Sequence, residues 1–432
     1  MRPPLREIDK PLAGVVVGLA AYGLATVYSA GQTDVPTVAA TIWHRQLIWL
    51  VLGGIATLVM YRVSPRLLEW ATPYVYGTAV FFLVLTLFVG TGAGTAVFLL
   101  LLTLFVGTGA GTAAASRSWM AVGGVRLGQP AELAKLAVIL MLARWLVARR
   151  EGPATLRELV YPCAVAGVPS LLVLLQPDLG SALVFVAILF AMLFWAGTRP
   201  TVLFLLASPV IGLVLAFSTG VWGAWIVLLF ALLLWWRPYV WEGLMVMLVN
   251  VAMGAIALPF WRHLAPYQQN RLLAFLNPEV DPRATGWHVI QSKVAIGSGG
   301  FLGKGFTLGS QKRLAFLPAQ HTDFIFSVVG EELGFIGVLL ALALFAGLIV
   351  VLLRIARRAT DPYSSLCVFG CASLLFTHMA ENIGMTVNLL PITGIPLPFF
   401  SYGGSFLLVC CLSVGISLRV AWESRLSGYV DL

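Results

Sequence analysis

The sequence predicts an all-α polytopic membrane protein, and three observations carry that prediction. Hydrophobic residues make up 59% of the 432 residues and charged residues only 10%. A soluble domain carries about 25% charged residues, so this chain cannot cover its apolar surface in water. Disorder is excluded for the same reason, because it needs low hydrophobicity and high charge. Apolar stretches of about 20 residues recur along the chain, the length that crosses a bilayer as a helix. They do not alternate apolar with polar residues, as the roughly ten-residue strands of a membrane β-barrel would.

In order, the expected spans are 12–30, 46–63, 72–89, 131–148, 159–176, 179–197, 201–218, 221–236, 239–261, 324–353, 364–383 and 405–421, twelve in all. Basic residues orient them. Arg2, Arg6 and Lys10 precede the first span; Arg62 and Arg66 follow the second; Arg149, Arg199, Arg237, Arg354, Arg357, Arg358, Arg419 and Arg425 mark later ends. All fall on one side if both termini are cytoplasmic, as the positive-inside rule requires. The net charge of +9 is then mostly this cytoplasmic edge and does not point to nucleic acid. The first span follows MRPPLREIDK with no small-residue cleavage site, so it reads as a retained anchor. Cys163, Cys367, Cys371, Cys410 and Cys411 all lie in apolar segments and are expected to pack there.

Residues 80–96 and 97–113 are a tandem duplication of 17 residues with two differences. The apolar part of the second copy, 97–106, is too short to cross a membrane, and one more crossing would invert everything downstream. An extended helix, a re-entrant turn or an external loop is expected.

Two loops are candidates for function. The segment 262–323 is expected outside, and long ordered loops of this kind are usually functional. It holds FLNPEVDP at 275–282, where Asp281 precedes a proline and is pushed toward extended backbone. A carboxylate at the mouth of a membrane cavity suits a general base; the plainer reading is a turn residue. The same loop holds five glycines in IGSGGFLGKG at 296–305, with Lys304. Such backbone approaches ligands closely, and Lys304 with Arg271 suits an anionic diphosphate; a solvated face near lipid headgroups is the alternative. His321 and Asp323 open the next span. One histidine without a partner motif is a weak metal site, and Asp323 equally suits a helix cap. The second loop, about 384–404, contains Pro391, Pro396 and Pro398, which forbid a regular helix. Non-helical backbone at membrane depth must be buried in protein or line a wet cavity.

Inside the spans, Glu132 and Lys135 stand three residues apart on one helix face and are expected to pair. Ionisable groups in a membrane are functional candidates, though a structural ion pair fits as well. Asp178 sits in a tight turn and reads as a turn or cap residue.

Taken together these strings resemble the SEDS family (shape, elongation, division and sporulation). The resemblance runs in order through QPAELAKL at 129–136, QPDLGSA at 176–182, FLNPEVDP, and QSKVAIGSGGFLGKG at 291–305. It continues through FLPAQHTDFIFSVVGEELG at 316–334 and NIGMTVNLLPITGIPLPFFSYGGS at 382–405, and LGSQKRLAFLP and TGIPLPFFSYGGS look like its elongation branch, RodA. It implies a single membrane domain over 1–432, with a ten-span core and residues 201–236 as an added hairpin. The implied activity is a peptidoglycan glycosyltransferase that polymerises lipid II at the outer face of the bacterial cytoplasmic membrane for cell elongation and rod shape. Asp281 matches the family's essential loop aspartate; Glu132, Lys135 and Asp178 match cavity residues, and Arg271, Lys304, His321, Asp323 and Ser401 are grouped with them. The implied partners are a class B penicillin-binding protein and the elongation machinery, with lipid II and an undecaprenyl-diphosphate-linked glycan as substrates. Magnesium or manganese would suit diphosphate and carboxylate oxygens, but no motif assigns ligands. Two features depart from the family: Ala319 stands where an acid often precedes His-Thr-Asp, and the basic pair before Trp119 is reduced to Arg117 and Ser118. A lipid II flippase and a non-catalytic scaffold are the rival classes. The flippase would call for inverted repeats, which the sequence does not show.

Overall fold

The computed structural model describes residues 3–34, 38–89, 120–122, 125–149, 152–236, 239–263, 269, 273, 275, 285–317 and 319–430. Helices dominate them. The first group is α1 (Lys10–Ala30), α2 (Ile42–Arg62), α3 (Pro65–Val89), α4 (Pro130–Val147), α5 (Val160–Leu174) and α6 (Leu179–Trp195). Then come α7 (Pro200–Leu215), α8 (Thr219–Trp236), α9 (Val240–His263), α10 (Thr285–Ser298), α11 (Ser310–Arg313), α12 (Ile325–Arg358), α13 (Pro362–Thr386) and α14 (Gly404–Val430). Each of the twelve expected spans overlaps one of these helices. Nine of the described helices are long and apolar enough to cross a membrane. Of the other three, α6 and α7 are apolar but shorter, and α4 carries Glu132, Lys135 and Arg144. The second duplicated copy lies outside the described residues.

Several helix starts follow directly from local chemistry. Asp9, Asp178 and Asp361 accept hydrogen bonds from Leu12 N, Ser181 N and Ser364 N at 3.0, 3.0 and 2.9 Å, satisfying donors that have no partner within the first turn. Pro130, Pro200 and Pro362 occupy first helical positions, where the missing N–H costs nothing. Two features were not expected. A small antiparallel pair, β1 (Met120–Val122) with β2 (Val125–Gly128), leads into α4. The segment 262–323 also contains helices, α10 and α11.

The helices pack around two main cores that meet at α13. Val368, Ala372 and Leu375 face one core with Leu19, Phe345, Phe400 and Leu407. Cys367, Cys371 and Leu374 face the other with Ile139, Leu142, Phe185 and Met192. All five cysteines are free thiols, and all but Cys163 are buried. Helices α2 and α14 pack closely, with small residues letting the backbones approach. A Cβ on Gly415 would lie 2.8 Å from Thr57 O, and the Thr57 hydroxyl donates to Cys411 O at 2.9 Å.

Helices α7, α8 and α9 form a separate small cluster around Leu205, Leu229, Leu233 and Val246. A buried polar clasp joins them: Asn250 donates to Ser208 Oγ at 2.9 Å and accepts from Trp225 Nε1 at 3.2 Å. A hydrogen bond between helices in hydrocarbon has little competition from water, so it selects this three-helix arrangement.

Candidate functional site

The site is built where α4, α13, the turn before α12 and the proline-rich segment before α14 converge. As expected, residues 391–397 have no regular structure. Their backbone is held by side chains instead. Asn382 on α13 donates to both Asp323 O at 3.0 Å and Ile395 O at 2.8 Å. Ser401 accepts from Leu397 N at 2.7 Å and donates to Thr322 O at 2.6 Å. Tyr402 N donates to His321 O at 2.9 Å. These bonds tie the turn at 319–324 to the segment at 394–402 and satisfy irregular backbone there.

The two strands of backbone enclose a cavity of about 380 Å³ whose wall includes Gln129, Glu132, His321, Asp323, Pro396 and Tyr402. Glu132 reaches it from the first turn of α4. Behind Glu132 lies Lys135, with no solvent exposure; its ammonium meets both Glu132 oxygens at 2.9 Å. The expected pair therefore exists, and it is buried rather than interfacial. Its remaining partner is His378 Nε2 on α13, at 2.8 Å. The other ring nitrogen, Nδ1, lies 3.2 Å from Pro396 O. Asp178 caps α6 and also accepts from Gln129 Nε2 at 2.7 Å, fixing that amide on the cavity wall. Burial pushes the His321 imidazole below its ordinary pKa, so it is neutral at pH 7. Asp323 lines the cavity and does not cap α12: the cap position is Phe324, which makes no side-chain bond.

Lys304 is placed elsewhere. Its ammonium bonds Glu331 at 2.9 Å and Ser310 at 2.7 Å. The glycine-rich loop approaches the backbone of α12. Helix α12 is broken at Gly334, whose φ of 61° and ψ of −156° are not helical. The loop fills that break: Lys304 N and Gly305 N donate to Glu331 O and Glu332 O at 3.0 Å, while Phe335 N donates to Gly300 O at 3.0 Å. A Cβ on Gly299 would lie 2.0 Å from Gly330 O and one on Gly303 2.1 Å from Glu332 O, so glycine is needed for this splice. Beside it Lys312, fully buried, pairs with Glu332 at 2.5 Å and donates to Ser29 O on α1 at 2.8 Å. Burial lowers the Lys312 pKa, and Glu332 opposes that shift.

The structure thus brings Glu132, Lys135, Asp178, His321, Asp323 and Ser401 to one cavity and its walls, and sets Lys304 apart in the α12 splice. Asp281 and Arg271 lie outside the described residues, as does Arg117. Among the described residues no group of three or more His, Cys, Asp or Glu could hold a metal ion. Sequence reasoning missed His378, Gln129 and Asn382. A signal for His378 was present, because an ionisable residue inside an apolar span is a functional candidate by default.

Fold and site define a multi-pass α-helical membrane protein with a polar cavity built on a buried charge pair. The chain belongs to the SEDS family: the FtsW, RodA and SpoVE cell cycle protein model matches residues 11–224 and 217–426. It is 34% identical over 441 residues to the "Probable peptidoglycan glycosyltransferase FtsW" of Trichlorobacter lovleyi, covering 99% of this chain and 97% of that protein. It is 33% identical over 414 residues to the "Peptidoglycan glycosyltransferase MrdB" of Escherichia coli, covering 96% and 93%. Thermus thermophilus RodA superposes with a TM-score of 0.60 at 26% identity, covering 97% of this chain and 98% of that one. A chain from a structure described as "Structural coordination of polymerization and crosslinking by a peptidoglycan synthase complex" superposes with a TM-score of 0.65 at 28% identity, covering 96% and 97%.

Proposed function

We propose that this protein is a peptidoglycan glycosyltransferase that polymerises lipid II at the outer face of the cytoplasmic membrane, in the elongation branch of its family. The observation that carries the reading is the cavity of about 380 Å³, walled by Glu132, His321 and Asp323 in a chain otherwise built to sit in lipid. Such a chamber suits a reaction whose polar reactants are carried on lipid tails. An acceptor sugar hydroxyl is a poor nucleophile at neutral pH, so a base must take its proton as it attacks the anomeric carbon. Asp281 is assigned that role. The departing undecaprenyl diphosphate develops negative charge that needs cationic stabilisation, for which Arg271 is assigned. A divalent cation would strengthen it. Lys304 is assigned a structural role, since its ammonium is committed to Glu331.

The partner is assigned as a single-span class B penicillin-binding protein, which would crosslink the product strands. Purified protein is expected to polymerise labelled lipid II, and the co-purified complex to do so faster, by favouring one arrangement of the external loops. Equal rates for free protein and complex at saturating lipid II would remove the activation claim. No polymer from either would remove the glycosyltransferase reading.

Both termini are assigned to the cytoplasm, with twelve spans and the α7–α8 hairpin added to a ten-span core. That order puts Thr219 outside and Arg237 inside, with Arg199 and Arg237 flanking the hairpin on the basic side. A single cysteine at position 219 in an otherwise cysteine-free protein is expected to react with a membrane-impermeant maleimide from outside. Protection there, with a control cysteine in 262–320 reacting, would support the ten-span order.

A further inference from the structure

The Lys135 ammonium has three protons and no lone pair. Both Glu132 oxygens stand at 2.9 Å from it, and His378 Nε2 stands at 2.8 Å. Nε2 can therefore keep this contact only as an acceptor. Pro396 O, 3.2 Å from Nδ1, can itself only accept, so Nδ1 must carry the proton. Partner chemistry at both ends of the ring selects the same form, the neutral Nδ1–H tautomer. The ring plane is fixed as well, by stacking on Phe406 with centroids 4.1 Å apart and an interplanar angle of 18°.

His378 has no solvent exposure and is not part of the cavity wall, yet two of its three partners, Pro396 and Phe406, are. Pro396 and Phe406 line the cavity directly, and Glu132 lines it while holding Lys135. One imidazole thus joins α4, α13, the proline-rich segment and the first turn of α14. We propose that His378 is a positioning residue for the cavity: as the neutral Nδ1–H tautomer it takes the third proton of Lys135, holding that ammonium behind Glu132 and orienting the Glu132 carboxylate toward substrate. Without it, the ammonium has one unmet donor and is free to swing, and Glu132 swings with it. The kinetic arm of this proposal rests on the polymerase reading; its structural arm does not.

Two experiments test it. Full-length protein carrying nitrogen-labelled histidine, in a membrane mimetic near neutral pH, is read by NMR, with the His378 signals identified by their loss in His378→Gln. A protonated Nδ1 with a bare Nε2 is expected. A ring protonated at Nε2, or at both nitrogens, overturns the proposal, and this measurement needs neither activity nor a folded apolar variant.

The second experiment measures lipid II polymerisation. His378→Leu is expected to lower turnover by about 10- to 100-fold, the equivalent of one lost hydrogen bond to a charged group, with half-saturation by lipid II little changed. His378→Gln keeps an acceptor for Lys135 and is expected to recover most of the rate. In a Lys135→Met background, His378→Leu is expected to add no further loss, because both changes remove one shared interaction. Fully additive losses, or no rescue by glutamine, would overturn positioning through Lys135. Wild-type protein that makes no polymer would instead overturn the polymerase reading, leaving the tautomer to be decided by NMR.

Discussion

An Asp281→Asn protein is expected to fold, to keep its partner and to lose lipid II polymerisation by about 10²–10⁴-fold, the usual worth of general-base assistance. The substitution preserves size and hydrogen-bonding capacity. It removes the negative charge, and an amide is a very poor proton acceptor. Loss of a cation ligand would also lower the rate, and added metal separates the two causes. Excess magnesium or manganese should partly rescue a ligand defect and leave a missing base unrescued; no rescue is the expected result. A flippase or scaffold does not require a general base, so the variant also separates the function classes. Folded Asp281→Asn protein that polymerises at the wild-type rate would end the assignment of the base.

The second large effect is on folding. Lys135 is fully buried and Glu132 is 3% exposed, so removing either partner strands a charge. Such a loss costs about 3–5 kcal/mol, whereas replacing both members of a buried pair with apolar residues is often nearly neutral. Glu132→Leu is expected to be the worse single change, because Lys135 has no route to water. In Lys135→Met the Glu132 carboxylate can still draw hydration from the cavity it lines. The double variant is expected to be more stable than either, short of wild type by about 1–3 kcal/mol for the orphaned acceptor on His378. Thermal unfolding in detergent, followed on the three variants together, measures the order. Equal melting temperatures for all three would mean that the pair is solvated and does not contribute to folding.

Much of the site was legible because its residues obey short-range rules. Glu132 and Lys135 pair because three positions on a helix share a face. Asp178 caps a helix because an aspartate before an apolar run satisfies free N–H groups. The three prolines of 391–398 keep their segment non-helical wherever it lies. Lys304 shows the opposite case. Glycines around a lysine describe a backbone that approaches something closely, and the local sequence does not say what. The answer is the broken backbone of α12 and the carboxylate of Glu331, the latter 27 positions from Lys304. The same limit applied to Asp323, whose position before a helix fits a cap equally well until the rest of the cavity is in place.

What the sequence determined by itself was the class of the protein and its lengthwise order. Composition forces the chain into lipid, the run lengths set its helices, and prolines and aspartates set many of their ends; none of these depends on a distant partner. Only the tertiary structure decided which polar groups act together. Buried polar groups are mostly satisfied by partners within the protein, because an unpaired one is costly. That requirement joins Lys135 to His378 across 243 positions, Lys312 to Ser29 across 283 and Ser401 to Thr322 across 79. No periodicity encodes such pairings, because they are set by how α1, α4, α11 and α13 and the segments before α12 and α14 pack side by side.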